Sequence, residues 1–308
     1  MPVLSPGVRR VAFLLLVTTA GLGVGHASAK TPTAKPPAAA KKTAAAERVV
    51  ALNGVVTEIV CALGAEKRLV GIDLSSTWPA SVASLPRVGY QRSISAEGVL
   101  SLKPDLVIGT EDAGPPEAIE QIRSAGARVV IVPSAPGIVA AAERVRAVGK
   151  AIALEKRADS LAQAMVRDTR AAQPATRGGA RVLAIYARGP HVVMASGRGT
   201  PADSMLALAG ARNAVDEFEG YRPLTAEATV AAAPEVILIP SGGLESLGGL
   251  HGLLEQPGIG LTPAAKAGRV VQMDAEKLLG FGPRVADALR ELVRGLQSPA
   301  ALEAAGKP

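Results

Sequence analysis

The chain is short of the residues from which most catalytic and metal centres are built. It has one cysteine, three histidines, one tryptophan, three tyrosines and three phenylalanines among 308 residues. A lone cysteine cannot form an internal disulfide, and Cys61 sits in an apolar helical pattern (Ile59-Val60-Cys61-Ala62-Leu63) that reads as core. So few histidines exclude a multi-histidine zinc cage. There is no G-x-S-x-G elbow, no Walker loop and no H-E-x-x-H helix, so hydrolase, nucleotidase and metalloprotease readings have no support. Long apolar runs are also missing. The one candidate, Val11 to Val24, is too short to span a bilayer comfortably.

Acidic residues are absent from residues 1–46, which carry Arg9, Arg10, Lys30, Lys35, Lys41 and Lys42. The net charge of +7 is therefore concentrated there: removing those six bases from 34 leaves 28 against 27 acids, a net of +1. A nearly neutral body excludes a nucleic-acid surface. Arg9-Arg10, the apolar stretch and Ala27-Ser28-Ala29 have the form of an export signal cleaved after Ala29. The residues after the paired arginines fit twin-arginine export poorly, and no cysteine lies where a lipid would be attached. The expectation is a soluble, exported monomer, periplasmic in a double-membrane bacterium. Residues 30–46, rich in Ala, Lys, Pro and Thr, read as a disordered linker.

What the chain does have is a repeat. Gly89-Tyr90-Gln91-Arg92-Ser93-Ile94-Ser95-Ala96-Glu97 leads, seven residues after the acid, to Pro104-Asp105-Leu106-Val107-Ile108. Gly220-Tyr221-Arg222-Pro223-Leu224-Thr225-Ala226-Glu227 leads, at the same spacing, to Pro234-Glu235-Val236-Ile237-Leu238-Ile239. Each copy reads as a hydroxyl N-cap, a short helix, a proline break and a buried strand. Thr57–Ala65 and Ala202–Ala211 form a weaker second echo. Two lobes on one plan imply a ligand between them, and matched carboxylates suit a two-fold symmetric partner.

The pattern around the repeats alternates between strand and helix. Strands are expected at Val49–Leu52, Leu69–Ile72, Leu106–Ile108 and Val129–Val132, then at Val182–Tyr186, Val192–Met194, Val236–Ile239 and Val270–Met273. Helices fall at Val55–Leu63, Ala96–Leu102 and Pro116–Ser124, then at Pro201–Ala209, Ala226–Ala233, Leu247–Leu254 and Pro283–Leu296. Such alternation argues for α/β lobes with parallel sheets. Between them Ile138 to Ala172 is helical in spacing, a short helix and then a long one with Gly149 marking the break, and reads as one rigid connector. The expected bounds are 47–137 for the N-terminal lobe, 138–175 for the connector, 176–298 for the C-terminal lobe and 299–308 for a tail.

Few side chains remain that could hold a ligand. The glycine-rich pieces Ser196–Thr200 and Ser241–Gly243 read as turns before they read as anion sites. The histidines and tyrosines are compatible with a metal that arrives already chelated and needs one axial ligand. Ferric haem is such a cargo, and tyrosinate is an accepted ligand for its iron. Tyr186 lies in a core strand, whereas Tyr90 and Tyr221 each follow a glycine at an expected strand-to-helix junction facing the cleft.

On these residues the chain resembles the periplasmic haem-binding proteins of bacterial ABC importers, within the wider class that carries haem, cobalamin or ferric siderophores. The resemblance runs from about Arg48 to Leu296 and is most specific at Val88–Asp105, Gly199–Asp203, Tyr221–Glu227 and Gly243–Gly249. The Gly-Tyr-Gln-Arg start distinguishes haem from the other cargoes. The resemblance implies two Rossmann-like lobes joined by a single long connecting helix, Tyr90 as axial iron ligand, and Glu97 and Glu227 as the carboxylates that dock on the permease dimer. Upstream it implies an outer-membrane haem receptor. Tyr221 and His191 are candidates for the second face of the haem or the cleft wall, with His251 behind them; Arg92, Arg198 and Arg222 are candidates for its propionates. Met194, Met205 and Met273 read as core. In the family an arginine often precedes the Gly-Leu-Glu-Ser-Leu-Gly-Gly segment and supports the tyrosine. Gly242 stands there in this chain, so that either another base such as Arg92 or Arg222 does that work or the iron site differs in detail. The competing functions are the same fold with cobalamin or a siderophore as cargo, or a periplasmic haem-dependent enzyme.

Overall fold

The continuous apolar runs fold as central strands of two sheets, because a strand covered on both faces has no polar side to show. The computed structural model describes residues 48–176 and 178–298. The expected export signal, linker and tail lie outside the described residues. In the first sheet β1 (Val49–Leu52), β2 (Leu69–Ile72), β3 (Leu106–Thr110) and β4 (Arg128–Val132) run parallel in the order β2-β1-β3-β4. All four residues of β1 are fully buried. Helices α1 (Gly54–Ala62), α2 (Ala96–Ser101) and α3 (Pro116–Ser124) alternate with the strands.

The connector is a pair of helices, α4 (Ile138–Ala151) and α5 (Glu155–Ala172). The break falls at Ile152–Leu154, where Ala153 takes a φ of 58°, and not at Gly149. Gly149 serves helix contact instead. A Cβ there would lie 2.2 Å from that of Ala158, so glycine is what lets the two helices approach. α4 packs on α1 and β4 of the first lobe, and α5 packs on α12 (Val285–Gln297) of the second. One apolar core therefore runs from Val49 and Ile59 through Val145 and Ala162 to Leu289 and Val182.

The second sheet has the order β10-β9-β5-β6-β8. Its strands β5 (Arg181–Ala187), β9 (Val236–Pro240) and β10 (Val270–Met273) are parallel, as expected, and the two-residue β7 (Arg212–Asn213) pairs with β5. The edge departs from the expectation. β6 (Val193–Ser196) runs antiparallel to β5, and β8 (Tyr221–Pro223) antiparallel to β6. Helices α6 (Pro201–Leu208), α7 (Ala226–Ala232), α8 (Ser241–Ser246), α9 (Gly249–Leu254), α10 (Pro263–Lys266) and α11 (Ala275–Leu279) complete the lobe.

The duplication extends to individual hydrogen bonds. Ser95 and Thr225 cap α2 and α7 by accepting from Gly98 N and Ala228 N. Lys103 (φ 45°) and Ala233 (φ 42°) both turn left-handed before the proline. Asp105 and Glu235 then accept from the backbone N–H of Arg48 and Arg181, and those arginine side chains reach back to carbonyls at the C-terminal ends of α2 and α7. A basic residue opening each central strand and an acid after each proline thus lock the helix end to the sheet in both lobes.

Candidate ligand-binding site

Tyr90 and Arg188 lie in loops that follow the C-terminal ends of parallel strands β2 and β5, where open α/β sheets place their ligands. Tyr90 lies in the loop beyond β2. Gly89 precedes it at φ 100°, a conformation that side chains rarely adopt, and its carbonyl accepts from Leu74 N at 2.9 Å. The Tyr90 carbonyl accepts from Ser93 N, and Gln91 is buried beneath it. Backbone bonds hold the loop in shape, while the Tyr90 ring stays half-exposed.

From the other lobe the hairpin joining β5 to β6 brings Arg188 to this ring. Arg188 Nη2 donates to Tyr90 Oη at 3.4 Å, a long hydrogen bond. Its guanidinium lies 5.6 Å from the Tyr90 ring centroid and 5.7 Å from that of Tyr186. The bond to Tyr90, and then the charge of Tyr186, hold the Arg188 guanidinium above its ordinary pKa. Tyr186 in turn packs on Tyr221, with centroids 5.6 Å apart and planes tilted by 56°. Burial is the main cause that raises the Tyr221 phenol, and the charge of Arg92 opposes it. Tyr90, Arg188, Tyr186, Tyr221 and Arg92 thus form one cluster drawn from both lobes. Apolar surface surrounds it: Leu74 is 57% exposed beside the Tyr90 loop and Tyr221 is 40% exposed.

Not every residue singled out from the sequence joins that cluster. Tyr221 opens the three-residue edge strand β8, which leads into α7. Arg92 pairs with Asp112 at 2.9 Å. Arg198 faces Glu219 at 4.0 Å, and Arg222 stacks on Phe218 at 4.8 Å. His191 is exposed in the β5–β6 hairpin, and His251 sits on the surface near Glu255, at 3.2 Å. Met205 and Met273 are buried in the core and Met194 is partly buried. Cys61 is half-buried, and burial pushes its thiol up to about 12, so it is no nucleophile at neutral pH. Glu97 and Glu227 are exposed in the first turns of α2 and α7.

Arg188 is the residue that sequence reasoning missed. Neither Arg92 nor Arg222 contacts the Tyr90 phenol; the cation that does so stands at the end of β5. The signal was available, since Arg188 directly follows a buried strand and precedes Gly189-Pro190, a turn at the cleft-facing end.

Deeper between the lobes a polar seam joins them. Arg284 donates from its backbone N and from Nε and Nη2 to the buried Glu58 carboxylate at 3.0–3.1 Å, and its guanidinium covers the Trp78 ring at 4.7 Å. Arg144, 2% exposed, donates to the carbonyls of Pro133, Ala135 and Gly280. Glu276 Oε2 accepts from Thr77 Oγ1 at 3.0 Å, and its Oε1 occupies the place where a side chain on residue 54 would stand. Burial pushes the Glu276 carboxyl up to about 7.

Two lobes on one frame, a rigid helical connector and a ligand surface drawn from both lobes define a substrate-binding protein. A family model described as periplasmic binding protein matches residues 49–277, and the chain belongs to that family. Among solved structures it is similar to the periplasmic heme-binding protein RhuT from Roseiflexus sp. RS-1 in apo form, with a TM-score of 0.80 and 41% identity over 82% of this chain and 98% of that one. It is also similar to the periplasmic heme-binding protein BhuT in complex with two hemes, with a TM-score of 0.76 and 41% identity over 81% and 97%. An ABC transporter substrate-binding lipoprotein of Bacillus subtilis (strain 168), YvrC, is 27% identical over 256 residues, 81% of this chain and 80% of its own length.

Proposed function

We propose that this protein binds ferric haem between its lobes and delivers it to the permease dimer of an ABC importer. The observation that carries the reading is the Tyr90 phenol held across the cleft by Arg188. A phenol is a poor ligand until it loses its proton. Arg188 donates to that oxygen and would stabilise the charge of an iron-bound phenolate. The exposed aromatic and aliphatic surfaces of Tyr221 and Leu74 suit a flat apolar macrocycle. Arg92, Arg198 and Arg222 are the bases available to its propionates, each already near an acid or an aromatic ring. Tyr221 and His191 are the side chains available to the second face.

In this reading the protein is a carrier and performs no covalent chemistry. The lobes comprise residues 47–137 and 176–298, with 138–175 between them. The first 29 residues direct export to the periplasm and are removed after Ala29, and the soluble monomer receives haem from an outer-membrane receptor. Glu97 and Glu227, set at equivalent points of the two repeats, would each meet a cationic residue on one permease subunit.

Titration of the purified protein with hemin, followed by absorbance, tests the proposal. Saturable formation of a ferric high-spin tyrosinate spectrum is expected. A spectrum that stays that of free hemin, with cobalamin or a ferric siderophore bound in its place, would contradict it.

A further inference from the structure

The loop that presents Tyr90 rests on the side chain that caps α1. Asn53 follows β1 and caps α1, its Oδ1 accepting from Val55 N at 2.8 Å. Its φ of 145° is a conformation that few side-chain-bearing residues adopt, and asparagine is among the more tolerant of them. With Oδ1 committed to the helix, the amide orientation is settled, and Nδ2 is the atom that faces outward. That Nδ2 donates to Gln91 Oε1 at 2.7 Å. The same oxygen accepts from Thr110 Oγ1, at the end of β3, at 3.4 Å.

Gln91 is the residue next to Tyr90, and it is 8% exposed. Its carbonyl also accepts from Gly114 N at 2.8 Å, and Ile94 N donates to the Gly114 carbonyl at 2.9 Å. The backbone beneath Tyr90 is thus tied to the ends of β1 and β3 and to the loop after β3. The Tyr90 side chain itself has no such ties on its own lobe; its hydrogen bond is to Arg188 of the other lobe.

We propose that Asn53 and Gln91 form a positioning pair that fixes the direction of the Tyr90 phenol for its ligand. This rests on Tyr90 being the iron ligand. The pair touches neither iron nor haem. It converts the rigid ends of two central strands into a fixed origin for a ring that has to point into the cleft. Groups that orient a metal ligand have effects out of proportion to their distance from the metal.

Two substitutions separate positioning from mere loop stability. Gln91→Met keeps the side-chain volume and removes the acceptor. Asn53→Gly accepts the unusual φ without strain, serves as an adequate cap and removes the donor. The measurements are the absorbance spectrum of the hemin complex, the rate of haem loss to excess apomyoglobin, and the ligand-free melting temperature. Both variants are expected to show a broadened or mixed tyrosinate spectrum and haem loss about tenfold faster, the low end for removing a ligand-orienting partner. Haem loss should not track the melting temperature across the two. If Gln91→Met does not fold, Asn53→Gly decides. Wild-type spectra and rates in the folded variants would overturn the proposal while leaving Tyr90 as ligand. A Tyr90→Phe control that keeps the wild-type spectrum would overturn the ligand reading itself, and the positioning role with it.

Discussion

In the first lobe the sheet is parallel throughout and stops at β4; in the second it continues past β5 into the antiparallel strands β6 and β8. The shared part carries the structural repeat: capped helix, left-handed residue, proline, acid and strand. The difference carries the specialised side chains. Arg188 stands at the turn into β6, and Tyr221 lies on β8 against Tyr186. The first lobe thus offers an oxygen from a loop held by hydrogen bonds. The second offers a cation and aromatic faces from a hairpin that has no counterpart in the first. The repeat carries the frame, and the antiparallel edge carries the second lobe's side of the proposed site.

The comparison breaks most easily at Tyr90. With Tyr90 as the proposed iron ligand, Tyr90→Phe should abolish the tyrosinate spectrum and speed haem loss on the order of 100-fold. Stopped-flow transfer to apomyoglobin measures it. Arg188→Leu should leave a tyrosinate complex that loses haem about tenfold faster, since the ligand oxygen has lost its hydrogen-bonding cation. The same transfer assay measures it.

The seam between the lobes gives a third prediction, on stability. The Glu276 carboxyl, ordinarily at 4.5, is raised by burial to about 7, so folding favours its protonated form. Its contribution is fully present below the unfolded value of about 4.5 and is lost as pH rises through about 7. Over that range the ligand-free protein should lose up to about 3 kcal/mol on this account. Glu276→Gln should flatten that part of the profile and melt higher than wild type at pH 8. Denaturant melts from pH 4.5 to 8 check both, and an unchanged profile in the variant would assign the dependence elsewhere.

Smaller effects should sharpen the contrast between frame and site. Glu97→Ala and Glu227→Ala lie on the shared repeat, outside the Tyr90–Arg188 cluster. Haem affinity should stay within about twofold while delivery into transporter-bearing vesicles falls, further in the double variant than in either single one. Tyr221→Phe removes a hydroxyl from a wall residue and should leave the spectrum intact, with haem loss changed less than about threefold.

The frame was legible in the sequence because its determinants are local. Apolar runs such as Val49–Leu52 and Val236–Ile239 are strands wherever they are buried, and Ser95 and Thr225 announce their helices. The antiparallel edge was less legible. Tyr221-Arg222-Pro223 has three residues, all exposed, and becomes a strand only because β6 pairs with it. The connector's pattern points to a break at Gly149, whose role is helix contact, while Ala153 makes the turn. At the site the motif singles out Tyr90 as a candidate, and the structure places it in a cluster with Arg188. Arg188 could not be joined to it, since the two meet only when the lobes fold together across 98 positions of sequence.

If one lobe supplies the ligand oxygen and the other the charge that stabilises it, Tyr90 and Arg188 act as a unit. A double-mutant cycle on haem loss with Tyr90→Phe and Arg188→Leu tests it most directly. The roughly tenfold effect of Arg188→Leu should shrink to less than about twofold once Tyr90 is phenylalanine, because no phenolate remains to stabilise. If the two effects multiply in full, Arg188 acts on haem independently of Tyr90, and the shared site is contradicted.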